Sequence, residues 1–321
     1  MVMVRKKGPY EKTKPASGGE DYHIPVMVRE VVEGLNIKPH GIYVDCTFGG
    51  GGHSRAILQQ LASDGKLFAF DQDADARTQI PRDDRLIFVP HNFRHLKRML
   101  RMHKTNQVDG ILADLGVSSH QFDEASRGFS TRFHGNLDMR MDTRQALTAA
   151  QIVNSYREPE LQKIFEQYGE VTNAKTLAKT IIQARGRAPI KTADNFRQAV
   201  QQVVKGNPNR YFAQVFQALR IEVNDELGAL KEMLQETPSL LRPGGRIVII
   251  SFHSLEDRIV KNFFRKNSFA EDDHSNPFGK ETVAKTLQVI TKKPIVPGDA
   301  EIRINSRARS ALMRIAERTI N

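Results

Sequence analysis

The stretch that decides the fold is Ile42-Tyr43-Val44-Asp45-Cys46-Thr47-Phe48-Gly49-Gly50-Gly51-Gly52-His53-Ser54. It opens with a β-branched and aromatic run, which is the composition of a buried strand. Four consecutive glycines follow, and Ser54 is expected to cap a helix with an apolar face from Ala56 to Leu61. A strand, a glycine turn and a helix form the first unit of a doubly wound α/β sheet, in which glycines let the backbone approach a ligand.

A second unit narrows the ligand class. Residues 66–70 are predicted as a strand ending at Asp71, which lies 20 residues after Gly51. In nucleotide-binding βαβ units, an acid at this place accepts hydrogen bonds from ribose hydroxyls, so an adenosine-type ligand is favoured over a plain surface turn. The turn is not a G-x-G-x-x-G, because Ser54 replaces the last glycine, and no basic group is present for a pyrophosphate. S-adenosylmethionine therefore fits better than NAD.

The bulk composition is that of a globular protein with a basic bias. The 321 residues are 39% hydrophobic, and they suffice for two domains or for one domain with a large insertion. Cys46 is the single cysteine, and the sequence has neither a signal peptide nor an apolar run of membrane-spanning length, so we expect a cytoplasmic protein without membrane contacts. The net charge of +11 favours a polyanionic partner.

Strands and helices alternate along the first part of the chain, which predicts a parallel sheet. Residues 86–89 and 108–113 are the predicted third and fourth strands, and the apolar run 246–250 predicts a late central strand. The candidate binding positions follow strand ends, where parallel sheets bind ligands. They are the glycine turn, Asp71, Phe93 and Asp114.

The alternation stops after the fourth strand. Residues 121–142 are predicted as a long loop, residues 148–204 as helices that start at a Thr148/Gln151 capping box, and residues 211–235 as one long amphipathic helix followed by a turn at 241–245. Residues 143–220 hold 12 Lys and Arg against 5 Asp and Glu, a net +7. A solvated helical surface also carries such residues, but the excess of one sign favours a nucleic-acid face.

These patterns predict a division of the chain into three parts. Residues 1–20 are a disordered basic arm, residues 21–124 and 217–321 form a discontinuous sheet domain, and residues 125–216 form a helical insertion. After the late strand, His253, Glu256 and Asp257 suggest a ligand set, but without a further partner they are interpreted as a polar helix start. The sequence holds no Cys/His cluster of metal-binding spacing, so no metal is expected.

Several motifs, in order from residue 23 to about 261, closely resemble the bacterial ribosomal RNA small subunit methyltransferase H family, also called RsmH or MraW. The motifs are His23-Ile24-Pro25-Val26-Met27, residues 45–54, Asp114-Leu115-Gly116-Val117-Ser118-Ser119-His120-Gln121, Arg127-Gly128-Phe129-Ser130, Leu137-Asp138-Met139-Arg140-Met141-Asp142, Leu219-Arg220-Ile221-Glu222-Val223-Asn224-Asp225-Glu226 and Ser251-Phe252-His253-Ser254-Leu255-Glu256-Asp257. The resemblance implies a Rossmann-like S-adenosylmethionine-dependent methyltransferase domain with a helical insertion. It also implies methyl transfer to the N4 amine of a cytidine in the decoding, or P-site, region of 16S rRNA in the small ribosomal subunit.

The resemblance also assigns site residues. The family's cofactor positions correspond to Gly51, Gly52 and His53 in the turn, Asp71 on the ribose, Phe93 near the adenine, and Asp114 and Gln121 near the methionine end. The expected partner is 16S rRNA within the small subunit. The oligomeric state stays open, with a homodimer among the options. Cys46 departs from the glycine or alanine that the family often has there.

Asp114 is the candidate catalytic residue because a cytosine amine is a poor nucleophile that needs a hydrogen-bond acceptor and alignment. Amino-methyltransferases of nucleic acids place an acid, amide or serine at the end of strand four, followed by Pro-Pro-aromatic. Here Asp114 is present without the prolines and the aromatic. Phe129, Phe133 and Phe252 are the candidate stacking residues, and either His253 or solvent could accept the departing proton. Asp114 could serve the cofactor, the amine or both.

The sequence alone leaves three alternative functions to consider. An NAD-dependent dehydrogenase is disfavoured by the turn and the helical insertion. A non-catalytic rRNA-binding assembly factor is disfavoured by the intact glycine turn together with Asp71 and Asp114. A cytosine-N4 methyltransferase acting on another nucleic acid would share the same site.

Overall fold

The computed structural model describes residues 25–130, 135–269 and 285–320. These residues contain one sheet with the strand order β3-β2-β1-β4-β5-β7-β6. Strands β1 to β5 run parallel to one another, and β7 is antiparallel to β5 and β6. The strands are β1 (Ile42–Asp45), β2 (Lys66–Phe70), β3 (Leu86–Val89), β4 (Val108–Asp114), β5 (Leu241–Ser251), β6 (Leu287–Val289) and β7 (Leu312–Arg318). The predicted Rossmann-like α/β fold is therefore confirmed.

Helices cover the sheet and also form a separate helical region. They are α1 (Val28–Leu35), α2 (Gly52–Leu58), α3 (Leu96–Met102), α4 (Ser119–Asp123), α5 (Ala149–Ser155), α6 (Glu158–Gln167), α7 (Ala174–Arg185), α8 (Ala193–Val200), α9 (Pro208–Asn224), α10 (Glu226–Leu240), α11 (Ser254–Lys266) and α12 (Asp299–Ile304). The capping box of Thr148 and Gln151 is confirmed at the start of α5. In the described parts of the chain, no helix is both long enough and apolar enough to span a membrane.

Apolar side chains bury both faces of the sheet. Tyr43 and Val44 are neighbours in β1 but belong to different apolar clusters, because successive side chains of a strand point to opposite faces. A further core is built from residues between Phe129 and Val223, most of them on helices, and it includes the fully buried Phe165 and Phe196. Helices α5 to α9 thus pack around a core of their own, whereas α10 and α11 pack on the sheet.

Two helix boundaries differ from the prediction. Helix α2 begins at Gly52 with Gly51 as its cap in a left-handed conformation, so Ser54 is not the cap. Instead, the Ser54 hydroxyl donates to Asp45 from inside the helix. The single helix predicted over residues 211–235 is also wrong, because Asp225 adopts φ 46° and ψ 46° and separates α9 from α10. Aspartate tolerates this left-handed region better than most residues, which gave a local signal for the break.

Two predicted non-regular segments contain secondary structure. Residues 241–245 are not a free turn but the start of β5, where the pairing register with β4 shifts between Val108 and Gly110. Gly244, at φ 75°, lies in the part of β5 where this pairing is interrupted. The predicted loop 121–142 contains the end of α4 and a 3₁₀ helix at Ala125–Arg127. Residues 1–24, which include the predicted arm, and Phe133 lie outside the described residues.

The strand order places the candidate site. Between β1 and β4 the order of strands reverses, since the chain runs outward from β1 to β3 and then returns to β4 on the other side. Ligands of such sheets bind in the crevice beyond the carboxyl ends at this switch point. The glycine turn follows β1, Asp71 follows β2 and Asp114 ends β4, so all three meet at that crevice.

Candidate active site

The glycine turn after β1 is fastened to the end of β2. Gly49 N–H donates to Asp71 Oδ2 at 2.7 Å, and Asp73 N–H donates to Asp71 Oδ1 at 2.8 Å. Burial raises the pKa of Asp71 to about 6, against the lowering effect of these two backbone donors. Each carboxylate oxygen still has a lone pair for another donor. The arrangement therefore leaves Asp71 able to bind a ribose hydroxyl while it shapes the turn.

Two glycines of the turn have structural requirements of different kinds. Gly51 has φ 74°, and a Cβ there would lie 2.8 Å from Cζ of Phe48. At Gly50, an added Cβ would meet nothing within 4 Å, so its position borders open space beside the turn. The turn thus combines a tightly packed side at Gly51 with an open side at Gly50. This is the shape expected where backbone lines a ligand crevice.

The side chain of His53 points into the protein. It lies in the first turn of α2, is 5% exposed, and places Nε2 2.8 Å from the carbonyl oxygen of Val26. Its other ring nitrogen, Nδ1, lies 3.6 Å from Oδ2 of Asp114. His53 was predicted as a cofactor residue, and in this structure its imidazole joins α2 to β4.

Asp114 is the last residue of β4, and its two carboxylate oxygens have different surroundings. Its backbone N–H donates to Oγ1 of Thr47 at 2.7 Å, which ties β4 to the glycine turn. Oδ2 faces His53, whereas the buried Oδ1 has no hydrogen-bond partner among the described residues. Burial raises the pKa of Asp114 to about 6; His53 opposes this rise, and Asp45 and Glu256 add to it. Asp114 is therefore a carboxylate at the crevice with a side chain 23% exposed and with one buried oxygen, Oδ1, whose hydrogen-bonding capacity is unused by the described residues.

Asp45 is a second buried carboxylate that the sequence reasoning quoted but did not assign. It accepts hydrogen bonds from Ser54 Oγ at 2.7 Å and from Thr47 N–H at 3.0 Å. Burial raises the pKa of Asp45, and His53 works in the opposite direction. His53 is thus electrostatically coupled to two buried acids. An acid in an otherwise apolar strand was the available sequence signal.

Gln121 is held at the crevice by an ion-pair cluster. Its Nε2 donates to Asp73 Oδ2 at 2.6 Å, and Arg127 Nη2 contacts the same oxygen at 2.8 Å. Arg127 also reaches Asp75 at 2.8 Å. The segment after β4 is therefore fastened to the segment after β2. Asp73 and Arg127 were missed as site residues, although Arg127 belongs to a quoted motif.

The candidate aromatics have different surroundings. Phe93 is half-buried at the start of a 3₁₀ helix after β3 and packs against the apolar core of the sheet. Phe129 is buried in the core of the helical region, so its role there is packing. Phe252 is half-buried, and a Cβ at Gly116 would lie 3.7 Å from its ring. Phe129 and Phe252 were candidates for stacking on the target base. Of the two, Phe252 lies beside Gly116, in the turn that follows Asp114.

A polar cluster joins the helical region to the end of β5. One carboxylate oxygen each of Glu226 and Glu256 and a ring nitrogen of His253 lie within 4.8 Å of one another. Glu226 is therefore a third member of the cluster that the sequence alone did not identify. The Arg220 guanidinium binds Glu226 at 2.9 and 3.1 Å. Burial works to raise the pKa of Glu256, but His253, the backbone N–H of Phe252 and Arg220 together outweigh it, and the net shift is downward. Because Arg220 already supplies positive charge, we interpret the cluster as an ion-pair network.

The model of the MraW methylase family matches this chain over residues 20–319. The chain belongs to the MraW methylase family. The match confirms the resemblance found from the motifs, and with it methyltransferase activity and the use of S-adenosylmethionine.

Curated relatives of the family are similar over nearly their whole length. The ribosomal RNA small subunit methyltransferase H of Parabacteroides distasonis is 52% identical over 299 residues, which cover 92% of this chain and 97% of that relative. The protein of the same name from Flavobacterium johnsoniae is 51% identical over 300 residues, covering 93% and 98%. That from Bacteroides thetaiotaomicron is 50% identical over 298 residues, covering 92% and 97%.

Proposed function

We propose that this methyltransferase modifies the N4 exocyclic amine of one cytidine in the P-site region of 16S rRNA, within the small ribosomal subunit. The names of the relatives support small-subunit rRNA as the substrate. The observation that carries the choice of an amine is the carboxylate of Asp114, whose side chain is 23% exposed and whose Oδ1 has no hydrogen-bond partner among the described residues. It lies at the end of β4, beside the glycine turn.

Asp114 would act on the amine as a hydrogen-bond acceptor. The lone pair of a cytosine amine is delocalised into the ring, so an acceptor for its hydrogens favours a tetrahedral and more nucleophilic nitrogen. S-adenosylmethionine supplies an electrophilic methyl group when it is bound. Asp114 holds the amine in place and takes up charge as the nitrogen becomes positive, an effect that a low-dielectric crevice strengthens.

The cofactor residues are proposed from the same crevice. Gly51 and Gly52 would line the ligand with backbone, Asp71 would accept from the ribose, and Phe93 would lie near the adenine. Gln121 would border the methionine end through the cluster around Asp73. His53 would contribute backbone only, since its ring is turned toward Val26 and Asp114.

We also propose that residues 125–216 form the RNA-binding domain and that residues 21–124 and 217–321 form the methyltransferase domain. Lys175, Lys179 and Arg187 are exposed on this helical region and would contact phosphates. Arg185 is not proposed as a phosphate contact, because its guanidinium donates to the carbonyl oxygens of Val153 and Tyr156. The target base would be unstacked to reach the crevice, with Phe252 as its stacking partner.

The decisive experiment uses labelled S-adenosylmethionine and small subunits from cells that lack this enzyme. Nuclease digestion and mass spectrometry are expected to place the label on N4 of one cytidine, and none on rRNA incubated with Asp114→Ala. Label on a ring carbon, on a ribose or on another nucleotide would contradict the proposal. Binding of subunits without any methyl transfer would support the assembly-factor alternative.

A further inference from the structure

The ring of Phe252 and the carboxylate of Asp114 lie on the same face of the sheet. Asp114 pairs directly with Ile250 across β4 and β5, and residues paired in this way point their side chains to one face. Ile250 belongs to the apolar cluster on that face, and Phe252 packs against the same cluster. A Cβ at Gly116 would lie 3.7 Å from the Phe252 ring. The ring therefore borders the turn that follows Asp114, and it is only partly buried.

The backbone of Phe252 is held by a side chain one turn further along the chain. Phe252 N–H donates to Oε2 of Glu256 at 2.9 Å, and Oε1 of the same carboxylate lies 3.1 Å from Nε2 of His253. Glu256 is 2% exposed, so solvent does not compete for these contacts. Its carboxylate thus fastens the short segment between the end of β5 and the start of α11. Once that backbone is fixed, the ring of Phe252 moves only about its two side-chain dihedrals.

The helical region completes the surroundings of Glu256. Arg220 binds both carboxylate oxygens of Glu226, at 2.9 and 3.1 Å, and an oxygen of Glu226 lies within 4.8 Å of an oxygen of Glu256. Arg220 lies on α9, a helix that also contributes to the core of the helical region. Burial works to raise the pKa of Glu256, but its neighbours, including His253 and Arg220, lower it below the ordinary value. The carboxylate that holds Phe252 is therefore ionised at neutral pH, which makes it a strong acceptor.

We propose that Glu256 is a positioning residue for methyl transfer, because it holds Phe252 where the ring stacks on the target cytidine beside Asp114. This inference rests on the proposed function, which takes Phe252 as the partner of the unstacked base. Stacking on an aromatic side chain contributes to the binding of unpaired bases, and it depends on the orientation of the ring. Since the turn at Gly116 joins the two side chains on one face, a base stacked on the ring lies next to the carboxylate of Asp114.

Two simpler roles for Glu256 make different predictions. As a helix cap alone, Glu256 would affect the stability of the protein and not its affinity for small subunits. As a charge near Asp114, whose pKa burial raises and Glu256 raises further, it would act through its negative charge and not through its bond to Phe252. Variants that separate the bond from the charge therefore decide between the three roles.

Three substitutions of Glu256 make this separation. Glu256→Gln keeps an oxygen that can accept from Phe252 N–H and loses the charge. Glu256→Asp keeps the charge but is one methylene shorter, so its carboxylate no longer reaches that N–H. Glu256→Met loses both and fills a similar volume. Phe252→Leu removes the ring.

Asp83→Ala is the matched control. It removes a carboxylate that accepts from the backbone N–H of Arg85 at 3.0 Å, and it lies before β3, at the end of the strands away from the crevice. The KM for small subunits, kcat, the calorimetric affinity for S-adenosylmethionine and the melting temperature are measured for every variant. The assays are run at about pH 8, where Asp114 is ionised in all of them, since burial raises its pKa only to about 6.

Phe252→Leu should raise KM about five- to a hundredfold, the range for the loss of one base stacked on an aromatic ring. Glu256→Asp and Glu256→Met should raise KM by no more than Phe252→Leu does. Glu256→Gln and Asp83→Ala should stay within about twofold of the unaltered protein, and so should the cofactor affinity of every variant. The Phe252→Leu/Glu256→Met double variant should match Phe252→Leu alone, because both changes remove the same contact.

Four outcomes would overturn the proposal. A normal KM in Phe252→Leu would show that the ring does not stack on the base, and a normal KM in both Glu256→Asp and Glu256→Met would leave Glu256 as a helix cap. A raised KM in Glu256→Gln with a normal KM in Glu256→Asp would show that the charge acts instead of the bond. Additive effects in the double variant would show that Glu256 does not act through Phe252.

The design does not depend on one variant. If Glu256→Met does not fold, Glu256→Asp provides the same comparison, alone and combined with Phe252→Leu. Failure of the proposed function looks different from failure of this inference, because the unaltered protein would then place no methyl group on N4 of a cytidine.

Discussion

The carboxylate of Asp71 accepts a hydrogen bond of 2.7 Å from the backbone N–H of Gly49, and it thereby joins the end of β2 to the turn after β1. The two residues are 22 positions apart in the chain. Gly49 has φ 52°, a conformation that glycine adopts at little cost. The acid expected to bind the ribose is therefore also the residue that sets the shape of the turn.

The first prediction concerns this double role of Asp71. Asp71→Ala should weaken S-adenosylmethionine binding by about 1.5–3 kcal/mol, the range for hydrogen bonds to charged groups. Calorimetry measures the change, and Asp64→Ala is the control because Asp64 pairs with His40 on the surface. Equal affinities of Asp71→Ala and the unaltered protein would exclude Asp71 from the cofactor site.

The second prediction compares two adjacent glycines. Gly51→Leu should abolish cofactor binding and lower the melting temperature, because φ 74° strains a leucine and its Cβ would meet Phe48 at 2.8 Å. Gly50→Ala should leave the melting temperature unchanged, since nothing lies within 4 Å of the added Cβ. Thermal unfolding and calorimetry on both variants test this. A stable Gly51→Leu protein with normal affinity would show that the turn tolerates a side chain.

The sequence predicted the sheet, which the structure confirms, and it supplied the candidate site residues, because both rest on local signals. A buried strand, a glycine turn and an acid at the next strand end have recognisable compositions, and the strand order then brings them together. The turn at residues 49–52 and Asp71 were identified in this way. The motif resemblance added Gln121 and His53.

The sequence could not supply contacts between distant segments. The ring of His53 could have faced a ligand or the protein, and only the positions of Val26 and Asp114 decide this. The cluster of Asp73, Gln121 and Arg127 likewise joins residues that are up to 54 positions apart. Such pairings depend on how the chain folds back, and composition carries little information about them.

The third prediction concerns the ionisation of Asp114. Its folded-state pKa of about 6 lies above the ordinary 3.8, so the folded state binds this proton more tightly than the unfolded chain. The contribution of Asp114 to stability is therefore full below about pH 4 and lost as the pH rises through about 6. Asp114→Asn should melt at a higher temperature than the unaltered protein at pH 7.5, with no advantage at pH 4.

The rate of methyl transfer should depend on pH in the opposite sense to the stability contribution of Asp114. Methyl transfer needs the carboxylate, so kcat of the unaltered protein should fall as the pH drops below about 6, and Asp114→Asn should be slow at every pH. The comparison isolates Asp114 because Asp71 and Asp45 are the same in both proteins. An Asp114→Asn variant that is less stable at pH 7.5 and normally active would make Asp114 a structural residue.

The fourth prediction concerns the buried pair of Arg127 and Asp73. Their side chains are 11% and 7% exposed, so Arg127→Ala leaves a buried carboxylate without its cation. We expect a loss of about 3–5 kcal/mol in the free energy of unfolding, measured by urea denaturation. Adding Asp73→Asn should restore part of it. Arg29→Ala is the control, since its pair with Glu33 is exposed and should contribute less than about 1 kcal/mol.

The last prediction concerns the proposed RNA face, and the structure changes which residues test it. Arg185 is excluded because its guanidinium binds the carbonyl oxygens of Val153 and Tyr156, so its reversal would damage the fold. Reversal of Lys175, Lys179 and Arg187 to Glu removes exposed charge without that risk. The matched control reverses three exposed lysines outside the helical region, Lys66, Lys231 and Lys261.

Phosphate contacts release counterions, so affinity for small subunits should fall with salt by roughly 0.7–0.9 log units per contact for each tenfold increase. The Lys175/Lys179/Arg187 variant should show a flatter salt slope and a higher KM for small subunits, with unchanged affinity for S-adenosylmethionine. The control variant should keep the original slope, because its lysines lie outside the proposed face. If the salt slope is flattened only in the control variant, the RNA-binding face lies on the sheet domain instead. The segment of that domain near the C-terminus carries Arg303, Arg307 and Arg309.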